Sequence, residues 1–237
     1  MKRGARMLPA MPHWSTIVAG FAPSLFWLWL VHRRDDNERE PILLVLAAMG
    51  LGSGSAMLVL WLRPWLETTC GLDRAIDAFL VTALAEEIAK TIFVLPILWM
   101  REVDEPLDGI VYGVAAALGF AGVENTLWAD TSHELGVVLQ RASTSTLLHA
   151  GCTGSIGFAI VCSKLCAFGS APRARVLLLL LPLCAVLLHG AYDWCLITDV
   201  PQVRLALMAV LPLTLALLWV KMSWARSRSE SYHPPKP

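Results

Sequence analysis

The stretch AIDAFLVTALAEEIAKTIFVLPILWM, residues 75–100, decides the fold. A helix of about 20 mostly apolar residues crosses a bilayer, and this stretch is long enough to do so. Beyond Asp77 near its start, its charges are Glu86, Glu87 and Lys90, which fall near the middle. A charge at that depth costs about 2.5–3.5 kcal/mol or more on insertion, so three of them require a structural or chemical reason. Lys90 follows Glu86 by four residues and Glu87 by three, which lets its ammonium reach either carboxylate along one helix face.

The rest of the chain has the same character. Hydrophobic residues make up 56%, the mean hydropathy is +0.59 and only 16% of residues are charged, which is membrane composition. The formal net charge is zero, so nothing in the charge balance points to nucleic acid. About seven stretches are apolar enough to span, near 14–32, 42–62, 75–100, 107–128, 142–168, 174–197 and 202–222. The expected fold is therefore an all-α, polytopic membrane helical bundle in the cell membrane, with the lipid bilayer as its solvent. Lys2, Arg3 and Arg6 before the first apolar run give it the look of a signal peptide. It lacks a small-residue cleavage site and ends in the charged segment from His32 to Glu40, which predicts a retained helix. Ten tryptophans fall mostly near the proposed helix ends, where interfacial belts form. The six cysteines lack metal-knuckle spacing and read as small packing residues. No linker separates domains, so residues 1–237 form one membrane-embedded unit, with a motif-bearing core at 75–195 and an exposed tail at 223–237.

Further polar groups lie on three other predicted spans. The fourth carries Asp108-Gly-Ile-Val-Tyr112-Gly113 and then Gly119-Phe120-Ala-Gly-Val-Glu124-Asn125. Asp108 is placed to cap this helix. Gly109, Gly113, Ala117 and Ala121 repeat every fourth residue as a ridge for close helix approach. Glu124 lies on the side of Phe120, near that ridge, and is expected to face protein; Tyr112 and Phe120 read as packing. On the fifth span Ser145, His149, Thr153 and Gly157 share a face, and on the sixth His189 and Asp193 stand one turn apart. Each group alone has a bland reading, as a buried ion pair or a core histidine. Together, four helices contribute Glu86, Glu87, Glu124, His149, His189 and Asp193, with Lys90 as the fixed cation.

The set Glu86-Glu87-x-x-Lys90, Asp108-Gly-Ile-Val-Tyr-Gly113 with Phe120-x-x-x-Glu124-Asn125, His149-Ala-x-x-Thr-Gly154 and His189-Gly-x-Tyr-Asp193 resembles the PrsW family. These bacterial multi-pass proteases look like members of the wider CAAX-processing and bacteriocin-processing membrane-protease superfamily. The resemblance covers roughly residues 75–195, with all four motifs in order. It implies intramembrane hydrolysis of a peptide bond in or near the transmembrane segment of a single-pass membrane protein, in the manner of anti-sigma-factor cleavage. It makes Glu86 and Glu87 the leading catalytic candidates, with His149 and His189 as partners, Glu124 and Asp193 as further catalytic candidates, and Lys90, Phe120 and Asn125 in support. Where other branches of the superfamily have a histidine after the phenylalanine, this chain has Glu124, as the PrsW branch does.

Two chemistries satisfy this set. Without a metal, a buried glutamate takes a proton from water and returns it, while a histidine donates to the developing oxyanion. With zinc, two histidines and a glutamate hold the ion with one position open, and a second glutamate is the base; Glu86, Glu124, His149 and His189 are the candidate ligands. No HExxH occurs, which excludes a standard zincin helix. The same buried acids, histidines and lysine also suit a proton-coupled transporter or a non-catalytic membrane scaffold. No matching pair of broken helices or internal repeat supports the transporter.

Overall fold

The computed structural model describes residues 13–33, 39–70, 73–132, 134–167, 169, 171–202, 205 and 208–232. All of its regular structure is helical: α1 (Trp14–Arg33), α2 (Ile42–Cys70), the single turn α3 (Arg74–Ile76), a π-helical run (Asp77–Ala83), α4 (Leu84–Leu98), α5 (Pro106–Ser132), α6 (Leu135–Ser143), α7 (Ser145–Lys164), α8 (Ala171–Ile197) and α9 (Val210–Tyr232). Five spans are long and apolar enough to cross a membrane: α1, Ile42–Thr68, α5, Gly136–Lys164 and Pro172–Ile197. This is the expected polytopic all-α bundle. The other two expected spans are helical as well, but differ in form.

Residues 75–100 do not make one regular α-helix. The backbone widens over Asp77–Ala83, and the Leu84 N–H reaches the Phe79 carbonyl five residues back. Such π turns are rare and concentrate at functional sites. The acidic pair Glu86-Glu87 then falls in the first turn of α4, which continues the π-helical run without a break. The last expected span begins later, at Val210, and its helix runs on to Tyr232. Residues 223–232 are thus helical, and Ser223, Ser227 and Arg228 among them are exposed. Ala225 is buried, and Trp224 meets Phe158 edge to face at 5.6 Å. Residues 233–237 lie outside the described residues.

The centre of the bundle is the pair α5 and α7, both buried along nearly their whole length. Glycine makes that contact possible. A Cβ on Gly109 would run into the Gly157 carbonyl, and one on Gly157 into the Gly109 carbonyl. Gly113 is held in the same way, its Cβ position 2.7 Å from the Thr153 carbonyl oxygen. Without a hydrophobic driving force between helices in lipid, this close approach supplies the packing energy. Gly157→Ala is expected to destabilise the fold by about 1–3 kcal/mol through overpacking. Gly50→Ala, on the open face of α2 where nothing lies within 4 Å, should be neutral. Equal thermal unfolding midpoints in detergent for the two variants would refute this account.

Asp108 does not cap α5 from outside. The helix starts at Pro106, a residue suited to the first helical position. Asp108 Oδ2 reaches back to accept from the backbone N–H groups of Asp104 (2.8 Å) and Glu105 (2.9 Å), the returning half of a capping box. Tyr112, fully buried as packing predicts, also donates its hydroxyl to Glu40 and so ties α5 to the start of α2. At the C-terminus of α4, Lys164 donates to the carbonyls of Leu98, Met100 and Val103 at 3.3, 2.5 and 2.7 Å, anchoring that turn to α7. On the outside, α1 packs along α5, with Phe21 against Gly122, and Trp27 Nε1 donates to the Ala142 carbonyl at the end of α6 (2.9 Å). Cys152, Cys162 and Cys195 are buried free thiols, as packing residues are, whereas Cys166 and Cys184 are exposed.

Candidate active site

Four helices bring the predicted polar groups to one place. Glu86, Glu87 and Lys90 come from the first two turns of α4, Glu124 from α5, His149 from α7, and His189 and Asp193 from α8. Glu86, Glu87, Lys90, His149 and His189 are each at most 5% exposed. Buried charges survive only when paired and hydrogen-bonded, and this cluster shows where each partner sits.

Glu87 is the hub. Its Oε1 accepts from Lys90 Nζ at 2.6 Å and lies 2.9 Å from His189 Nδ1, while its Oε2 accepts from the Thr153 hydroxyl at 2.8 Å. Three donors therefore occupy this carboxylate. Lys90 is completely buried; its Nζ also lies 3.0 Å from His149 Nδ1 and sits 4.5 Å over the Phe120 ring. An ammonium only donates, so His149 Nδ1 accepts, and the ring proton belongs on Nε2, which faces Glu124 Oε2 at 3.0 Å. Phe120 thus does more than fill space: it closes the apolar side of the network, 5.4 Å from the His149 ring.

Glu86 is placed differently. Its Oε2 is 3.6 Å from His189 Nε2, 3.9 Å from Lys90 Nζ and 4.0 Å from His149 Nδ1, and it makes no hydrogen bond among the described residues. Asp193 Oδ2 stands 3.5 Å from His189 Nε2 and is likewise buried without a hydrogen bond. Because His189 Nδ1 donates to Glu87, its Nε2 presents a lone pair toward both oxygens. With His189 neutral, three acceptors converge there, an arrangement that a metal cation completes, as a second ring proton on His189 would. Glu86, His149 and His189 each offer one ligand atom within 4.8 Å of the others, and a carboxylate with two imidazoles is a donor set that zinc takes, with His149 Nδ1 exchanging its contact to Lys90 for the ion. Glu87 on His189 Nδ1 is the outer carboxylate that such a ligand uses to fix its ring.

Glu124 stands at the edge of this group. It faces protein in part, but 29% of its side chain is exposed to a cavity of about 440 Å³ that Glu86, His149, His189 and Asp193 also line. Arg141, from α6, lines the cavity too and donates to Glu124 Oε2 at 2.7 Å. The same guanidinium donates to Asn125 Oδ1 (2.8 Å) and Ser145 Oγ (3.2 Å) and lies 5.2 Å from the Trp128 ring. Asn125 does not reach the histidines; it orients Arg141 and donates to Thr146 at 2.9 Å. Sequence reasoning missed Arg141, although a signal was present. Arg141, Ser145, His149 and Thr153 recur every fourth residue, and that face extends one turn before the span that was read.

The sequence profile of the PrsW family intramembrane metalloprotease matches residues 40–220. The chain is 33% identical over 183 residues to Protease PrsW of Bacillus subtilis, covering 76% of this chain and 82% of the relative. It is 32% identical over 186 residues to Protease PrsW of Geobacillus kaustophilus, covering 77% and 80%. Protease PrsW of Shouchella clausii is 27% identical over 220 residues, covering 92% and 98%. No solved structure matches.

Proposed function

Because the chain belongs to the PrsW family of intramembrane metalloproteases, and is therefore a multi-pass membrane peptidase, we propose that it cuts a single-pass membrane protein in or near its transmembrane segment, in regulated proteolysis of the anti-sigma-factor kind. One observation carries the reading: a buried carboxylate oxygen without a donor, on Glu86, beside two imidazoles and a cavity of about 440 Å³. The family match sets aside the transporter and scaffold alternatives, which the same buried groups would also suit.

Glu86, His149 and His189 would hold a zinc ion, with Asp193 beside His189. When bound, zinc supplies Lewis-acid stabilisation of a carbonyl oxygen and makes water a better nucleophile. The remaining work belongs to side chains of this chain. Glu87 takes no part in proton transfer, since Lys90, His189 and Thr153 occupy its oxygens; it orients His189 and keeps Lys90 in place. Glu124, paired with Arg141 and open to the cavity, accepts the proton of the attacking water. The water oxygen bonds to the scissile carbonyl carbon, the carbon–nitrogen bond breaks, and Glu124 returns the proton to the leaving amine. The low-dielectric walls strengthen each of these contacts.

The test compares protein N-termini in cells carrying the wild type or Glu86→Gln, restricted to membrane proteins. New termini inside or beside a single-pass helix, present only with the wild type, are expected. Their absence at equal expression and under envelope stress would refute the assignment. Metal analysis gives a second reading. Purified wild type is expected to retain zinc that His189→Ala loses, and metal-free enzyme that still cuts would remove the ion from the chemistry.

A further inference from the structure

The wall of the catalytic cavity has a second side. Over Asp77–Ala83 the π-helical run contributes Asp77 and Thr82 to the cavity, and Phe79 and Leu80 to a separate apolar groove of about 460 Å³. Ile88 and Ile92 continue that face along α4, with Leu183 and Leu187 of α8 across from them. Leu80, Ile88, Ile92, Leu183 and Leu187 are 48–60% exposed, so in a bilayer the groove meets hydrocarbon. Its polar lining is confined to Thr91 and Glu87, one helical turn apart. Glu87 is also the hub that holds Lys90 and His189.

The partition between groove and cavity is thin. The Phe79 ring lies against Gly190, the neighbour of His189, and a Cβ on Gly190 would fall 2.7 Å from Phe79 Cγ and 2.9 Å from its Cα. The backbone at this contact is π-helical, the form that recurs where a helix serves function at a cost in regularity.

The geometry points to this groove as the seat of the substrate's transmembrane helix before cleavage, with the π-helical run as the partition its backbone passes to reach Glu86. This rests on the protease reading given above. An apolar lining that opens to hydrocarbon selects an apolar occupant. Glu87, which lines the groove and bonds Lys90 and His189, sets the groove directly against the catalytic cluster, which favours the substrate helix over an acyl chain or a second copy of this chain. The arginine-lined mouth of the cavity, with Arg63 and Arg74, is the aqueous side, so a membrane-embedded helix needs this other approach.

Leu183→Trp fills the groove from its exposed wall, while Leu179→Trp, on the same helix and 72% exposed but outside the groove, is the control. The readout is the set of Glu86-dependent new termini on single-pass membrane proteins in cells. Leu183→Trp is expected to lower their abundance by about 10²-fold, the scale on which misplaced substrates lose rate. Leu179→Trp should leave it unchanged. Glu86-dependent termini that ignore Leu183→Trp overturn the groove and leave the protease reading intact; no such termini overturn both. If Leu183→Trp fails to accumulate, a photo-crosslinking residue at position 183 in the Glu86→Gln protein replaces it. Capture of the same proteins that carry the termini supports the proposal. Adducts to lipid alone, or to a second copy of the chain, overturn it.

Discussion

Glu87→Gln is expected to lower the stability of the bundle by about 3 kcal/mol, because it leaves Lys90 as a buried cation without its nearest counter-charge. Lys90 is fully buried and 2.6 Å from Glu87 Oε1; Glu86, at 3.9 Å, compensates only in part. The loss should appear as a lower thermal unfolding midpoint in detergent. Activity falls with it, because His189 loses the carboxylate that orients its Nδ1–H. The double variant Glu87→Gln, Lys90→Met removes both charges and is expected to regain most of the stability without the activity, as paired buried charges replaced together are often neutral. An unchanged midpoint in Glu87→Gln would show that Lys90 does not depend on this carboxylate.

Glu86→Gln should behave in the opposite way. Its Oε2 receives no hydrogen bond among the described residues, so the fold loses little when the charge is removed. Cleavage is expected to fall by about 10³-fold, within the range that a group acting on the reacting atoms contributes. Bound zinc should fall in parallel. Full activity would take Glu86 out of the chemistry. The contrast between two adjacent glutamates, one silent in stability and one costly, is the sharpest check on the arrangement of the site.

The sequence treats those two residues alike, and the reason is physical. Spacing of three and four residues puts both within reach of Lys90, but which oxygen Lys90 takes depends on Thr153 and His189 arriving from α7 and α8. Tertiary contacts of that kind leave no local pattern. Hydropathy, by contrast, reports burial in lipid directly, so the all-α membrane bundle was legible; the four-residue spacing showed the Gly109–Gly113 ridge but not its partner Gly157. The π-helical run was not, because its residues are as apolar as those of an ordinary turn. Arg141 was hidden by the break at Thr144, which places it on α6, outside the span read as membrane. The helical form of the end of α9, with Ala225 and Trp224 packed, was not legible because a segment rich in arginine and serine carries no apolar period.

The contact of Trp27 with the Ala142 carbonyl gives α1 a part in the enzyme. The family match starts at residue 40, so this helix lies outside it, and its opening resembles a segment meant for removal. Yet it splints α6, the short helix that carries Arg141, one residue before Ala142. Trimming the chain before Ile42 would leave every proposed ligand in place and slacken the brace behind Glu124. Loss of the N-terminal helix is thus a route to an intact but disarmed protease.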